Sequence, residues 1–91
     1  MWVGDLSKVA KRLKKLPIHI RKNLLLWRML IQKDGLLAVR KIPGYHDEPL
    51  YGTRLGQRSI KLNHAWRAIY EEKKNGEITI IEVQEVHKHE Y

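Results

Sequence analysis

Lys61 and Arg67 lie in "SIKLNHAWRAIY", a stretch that otherwise reads as two short β-strands joined by a tight turn, and a second reactive group, "HKHEY", spans His87 to Tyr91. Between them these side chains hold what metal-free cleavage of an RNA strand requires. The 2'-hydroxyl must lose a proton, the in-line phosphorane gathers negative charge, and the departing 5'-oxygen must gain a proton. Histidine titrates near neutrality and can transfer protons. Arginine and lysine stabilise the phosphorane. Tyrosine can stack on a base or hydrogen-bond a phosphate. Lys61, Arg67, His87, His89 and Tyr91 are therefore the candidate catalytic residues, against the plainer alternative of a solvated sheet face on which charges alternate with core residues.

Other polar groups fit less well. His87 and His89 are two apart, a spacing that can ligate zinc or copper, but no third histidine, Asp or Cys falls where it would complete a site. No metal and no cofactor is expected. Asp47-Glu48, between a histidine and a proline, reads as a capping or solvated loop pair and not as acid or base. Arg58 is out of step with Lys61 in a two-residue period, whereas Ser59 and Lys61 share a face.

These residues need a platform. Leu6, Val9, Ala10, Leu13 and Leu16 have the spacing of an amphipathic helix over Asp5 to Leu16, with Asp5 or Ser7 as N-cap and Lys8, Lys11, Arg12, Lys14 and Lys15 on the other face. Pro17 breaks it and starts a second helix to Lys33, ended by Asp34-Gly35. Leu36 to Lys41 either extends that helix or makes a separate turn, and Pro43-Gly44 and Pro49 mark a loop. The period then changes to two. Strands are expected at Leu50 to Arg54, Gln57 to Leu62, Trp66 to Glu72 and Glu77 to Val86, the last two joined by a hairpin at Asn75-Gly76. The fold class is α+β: an amino-terminal helical hairpin packed on one face of a small antiparallel β-sheet, the other face open.

Ninety-one residues with 43% hydrophobic and 31% charged content fit one globular domain, residues 1–91. The longest uncharged apolar run, Leu24 to Trp27, is far short of the roughly 20 residues that cross a bilayer. No secretory signal is recognisable, so a cytoplasmic location and no membrane partner are expected. The absence of cysteine removes disulfides and thiolate chemistry. Residues 1–41 carry eleven Lys or Arg against Asp5 and Asp34, whereas residues 71–91 carry three against six acids. The basic surplus, +8 overall, favours a polyanionic partner.

"DEPLYGTRLGQRSIKLNHAWRAIYE", followed after a hairpin by "IIEVQEVHKHEY", resembles the RelE/ParE toxin superfamily and, within it, the HigB-like and RelE-like mRNA interferases. The likeness lies in Leu50 and Gly52 before the sheet, Gly56 to Ile60 at a strand start, Trp66 to Tyr70 on the next strand, and a histidine-bearing tail. "LKKLP" (Leu13 to Pro17) resembles the family's helical hairpin. The resemblance implies a microbial-RNase-like fold and the toxin of a type II toxin-antitoxin pair, an endoribonuclease that cuts mRNA in the ribosomal A site without metal. Its partners would be a cognate antitoxin, the ribosome and mRNA, with operator DNA reached only through the antitoxin.

By position, the resemblance assigns Lys61 to a family lysine and Arg67 to the arginine at the scissile phosphate. It assigns His89 to proton transfer with His87 as a second such residue, Tyr91 to a terminal tyrosine, and Arg54, Arg58 and Lys61 to RNA contacts. Family members usually begin with a β-strand; here only "MWV" precedes the first helix, which leaves a very short strand, a truncated start or a partner-completed edge. A ParE-like DNA gyrase inhibitor and a non-catalytic nucleic-acid-binding module stay open as alternatives.

Overall fold

Ile20, Leu24, Trp27 and Ile31 recur at helical spacing and are completely buried, and they define the inner face of the long helix in the computed structural model, which describes residues 1–88. Side chains of this size each contribute about 2 kcal/mol when removed from water. The elements are β1 (Trp2–Asp5), α1 (Ala10–Leu13), α2 (Ile18–Asp34), α3 (Leu36–Arg40), β2 (Glu48–Pro49), β3 (Gln57–Lys61), β4 (Trp66–Asn75) and β5 (Ile78–Lys88). The sheet order is β1-β5-β4-β3-β2, with β1 parallel to β5 and all other neighbours antiparallel. The α+β layering is as expected, on a sheet of five strands.

Of the three possibilities for the amino terminus, the structure has the very short strand. Trp2 to Asp5 pair with Thr79 to Glu82 along the outer edge of β5. Four residues make a strand here because α2 holds them: Arg28 Nε donates to the Gly4 carbonyl at 2.9 Å, and the Gly4 amide donates to Gln32 Oε1 at 3.1 Å. A Cβ on Gly4 would stand 2.6 Å from Arg28 Cγ, so the side chain that grips the strand fits only over glycine.

The first helix is shorter than its apolar spacing predicts. A 3-10 turn over Ser7–Val9 leads into a single α-turn at α1. Neither Asp5 nor Ser7 is its N-cap: Leu6 holds that position without a side-chain cap bond, and Asp5, one residue earlier, accepts the Ser7 amide on Oδ1 at 2.8 Å. The second helix matches its expected span. Gly35, at φ 83°, ends it and separates α3, with its amide donating to the Ile31 carbonyl at 2.9 Å.

Leu50 to Arg54 is not a strand. Gly52 (φ 66°) interrupts it, Tyr51 stands exposed with nothing to bury against, and Gly52–Arg54 forms a 3-10 turn. The edge strand is Glu48–Pro49 instead, with Glu48 opposite Ser59. The β4–β5 hairpin is longer than expected, closing on Gly76-Glu77 with Gly76 at φ 63°. The β3–β4 turn is held by Asn63 Oδ1, which accepts the amides of Ala65 and Trp66 at 2.8 Å each.

The helices cover one face of the sheet, where Ile60, Leu62, Ala68, Tyr70, Ile81, Val83 and Val86 meet α2 and α3. Trp27 and Tyr70 pack with ring centroids 5.3 Å apart. Glu82 ties the 3-10 turn to the sheet through Lys8 Nζ at 3.0 Å and Lys73 Nζ at 2.9 Å. Hydrogen bonds from Lys73, Gln84 and Lys8 hold its carboxyl at about 2, below the ordinary 4.5.

Candidate active site

Alternation along β3 and β4 sends Ser59, Lys61, Arg67 and Ile69 to the face opposite the helices, and the register sets Lys61 against Arg67 and Arg67 against His87. Strict alternation along β5 would turn His87 the other way, to the side of Ile81 and Val83. A bulge prevents this. Ile69 pairs with Glu85 and Tyr70 with Val83, so Gln84 has no counterpart and the phase of β5 flips beyond it. Val86 thereby returns to the core, and His87 joins Arg67 on the open face.

The open face carries a hollow of about 320 Å³ lined by Glu48, Leu50, Arg54, Ser59, Arg67, Ile69 and His87. Arg67 is fixed at its mouth: Nε donates to Ser59 Oγ at 2.6 Å and Nη2 to Glu48 Oε1 at 3.2 Å. Ser59 is buried and Glu48 half-exposed, so one partner is a fixed support and the other is open to solvent. Arg54 borders the hollow, with Nη1 2.6 Å from Glu85 Oε2 and 3.0 Å from Gln57 Oε1. That guanidinium draws the Glu85 carboxyl below its ordinary range. The surface thus presents guanidinium groups, a carboxylate and an imidazole around one opening, a set able to hold a phosphate and move protons on either side of it.

The structure brings Lys61, Arg67 and His87 into one cross-strand row, with Arg54 beside the hollow. It places Arg58 elsewhere. Arg58 pairs with Tyr70 in the register and points to the helix-covered side, where its Nε is 2.6 Å from Asp47 Oδ1. Tyr70 donates its hydroxyl to Asp47 Oδ2, and burial followed by this bond pushes the phenol well above its usual 10.0. Asp47 is accordingly not a solvated loop residue; its side chain is 99% buried and ties the loop to the sheet. Glu48 is no loop cap either, since it reaches Arg67 inside the hollow. Sequence spacing missed it because a strand of two residues has no period to read. His87 lies within β5, which extends past Val86 to Lys88, and His89 and Tyr91 lie outside the described residues. Among the described residues no three His, Asp or Glu side chains converge on a metal position.

No protein-family model matches the chain, and no curated protein matches it. Solved structures do. It resembles the YoeB/ParE toxin from Agrobacterium tumefaciens at 19% identity and a TM-score of 0.63, over 98% of each chain. A histidine-to-glutamine mutant of YafQ from E. coli aligns at 18% identity and a TM-score of 0.63, over 97% of this chain and 91% of that one. The YoeB-YefM complex from Staphylococcus aureus aligns at 18% identity and a TM-score of 0.65, over all of this chain and 97% of that one. The chain shares the α+β fold of these toxins over essentially its whole length.

Proposed function

We propose that the chain is the toxin of a type II toxin-antitoxin system, of the RelE or HigB kind, and that it cleaves translated mRNA in the ribosomal A site. The observation that carries this reading is the hollow on the open face, where Arg67, Glu48 and His87 meet on a basic protein with the fold of YoeB and YafQ. A scissile phosphate seated against Arg67, with Lys61 beside it, would displace Glu48 from the guanidinium. The Glu48 carboxylate then takes the proton of the 2'-hydroxyl as its oxygen attacks phosphorus. Arg67 and Lys61 balance the charge of the phosphorane. The P–O5' bond breaks as the His87 imidazolium delivers its proton to the leaving oxygen, giving a 2',3'-cyclic phosphate and a free 5'-hydroxyl. Every proton has a protein donor or acceptor, so the scheme runs without metal. His89 and Tyr91 stay in the proposed site on the strength of the family resemblance, as does Arg54 as an RNA contact, whereas Arg58, held by Asp47 on the other face of the sheet, leaves it.

An antitoxin partner is proposed on two grounds. One similar structure is a YoeB-YefM complex. In addition, the outer face of α2 exposes Ile18, Leu25, Leu26 and Met29, the kind of surface a protein partner covers. No helix among the described residues is long and apolar enough to cross a membrane, and the proposed target places the protein in the cytoplasm.

Primer extension on a translated message after induction tests the reading. Cuts are expected with the native chain and not with Arg67→Ala; undiminished growth arrest by the Arg67→Ala, His89→Ala double variant would overturn it. The Agrobacterium neighbour also bears the name ParE, which keeps gyrase as the second target. Supercoiling inhibition without message cleavage would establish that alternative.

A further inference from the structure

Beyond Ser59, no strand among the described residues pairs with the outer side of β3, since β2 meets it at Arg58 and Ser59. The space beside Lys61 and Leu62 is bounded by the Pro43–Tyr45 turn and by α2, and it forms a cleft of about 310 Å³ lined by Leu30, Ile42, Gly44, Tyr45, Leu62, Asn23 and Lys61. Its walls are mostly apolar. Asn23 Nδ2 donates to the Leu62 carbonyl at 2.9 Å, which fixes the amide and leaves Oδ1 to accept from a ligand. Desolvation raises the Tyr45 hydroxyl above its usual 10.0. An apolar slot with one aromatic ring, one oriented amide and a cation at its border is suited to a flat heteroaromatic ring attached to a phosphate.

Lys61 links this cleft to Arg67 across the free edge of β3. It stands directly opposite Arg67 in the register and also lines the cleft, so this one residue borders both positions at the free edge of β3. We infer that the cleft between α2, the Pro43–Tyr45 turn and the free end of β3 is a nucleobase subsite. It takes a base of the RNA whose phosphate sits on Arg67, and so rests on the cleavage reading for its source of ligand. The base stacks on Tyr45, its edge donates to Asn23, and Lys61 meets the phosphate between the two positions. The cleft thereby selects among bases at a position next to the cut.

Two probes test this. Adenosine 5'-monophosphate, titrated into the ¹⁵N-labelled full chain, is expected to shift the Asn23 side-chain amide and the Gly44 amide. A 2'-O-methyl RNA trinucleotide, which cannot be cut, is compared with versions made abasic at each position. Stacking losses of about tenfold in affinity are expected for one abasic position and for Tyr45→Ala. The two together should cost no more than either alone, and Tyr45→Phe should bind as the native chain does. Gly44→Leu adds a side chain where a Cβ meets nothing within 4 Å, and it should weaken trinucleotide binding without lowering the melting temperature. Nucleotide shifts absent from Asn23 and Gly44, or additive losses, would overturn the subsite even where Arg67→Ala still abolishes message cleavage. Conversely, shifts at Asn23 and Gly44 with cleavage indifferent to Arg67→Ala would uphold the subsite and sink the cleavage reading.

Discussion

Asp47 and Glu48 are adjacent in the chain, and each holds an arginine, but on opposite faces of the sheet. Asp47 takes Arg58 at 2.6 Å on the helix-covered side and is buried; Glu48 takes Arg67 at 3.2 Å on the open side and is half-exposed. Both Asp47 oxygens are engaged, one by Arg58 and one by the Tyr70 hydroxyl. Only one oxygen of Glu48 meets its arginine. The same charge pair is thus an internal tie in one place and a replaceable contact in the other. Burial decides which, because a carboxylate removed from water must keep its partners, whereas an exposed one exchanges them at little cost.

The contrast can be broken from either side. Arg67→Ala should have the largest effect, lowering cleavage on ribosomes by about 10³-fold while the melting temperature stays near native, as for loss of a group that stabilises transition-state charge. Glu48→Gln should leave RNA binding intact and lower only the cleavage step, by about 10²-fold. Asp47→Ala should do the reverse, costing about 3 kcal/mol of stability in denaturant unfolding, with activity falling only as far as the folded fraction does.

Tyr70→Phe is a finer probe, worth about 1 kcal/mol near neutrality. The phenol binds its proton more tightly in the folded chain than in the unfolded one. Its stabilising effect is therefore complete below pH 10 and is lost as pH rises above 10, and the variant should lack that alkaline slope. The smallest effect belongs to Glu82, which lies away from both pairs. Its carboxyl is depressed to about 2, so its stabilising effect is present above pH 4.5 and lost as pH falls from 4.5 toward 2. Glu82→Gln should flatten that acid slope and cost less than about 1 kcal/mol, since both lysines are solvated.

Period and punctuation made much of this legible. The 3.6-residue spacing located α2, and Pro17 and Gly35 bounded it; the two-residue spacing located β3 and β4 and therefore the shared face of Lys61 and Arg67. What stayed hidden depends on distant parts of the chain. β1 exists because Arg28 and Gln32 reach Gly4 from α2, and four residues with a central glycine have no strand signature of their own. Glu48 entered the site through a strand of two residues, and the Tyr45 cleft is assembled from three separate segments. The bulge left one trace: Val83 and Val86 are three apart, a spacing that strict alternation cannot bury on one face. That break in rhythm is what turns His87 toward Arg67.

The position of β5 has a temporal consequence. It is the last strand in the chain, yet it stands inside the sheet between β1 and β4. During synthesis the amino-terminal strand emerges first and waits for a neighbour made some 75 residues later, a closure of the most non-local kind in this fold. Until Ile78–Lys88 is available, β1 has no sheet to join, and no imidazole stands opposite Arg67. A nascent chain therefore carries Lys61 and Arg67 on the sheet before His87 can stand beside them.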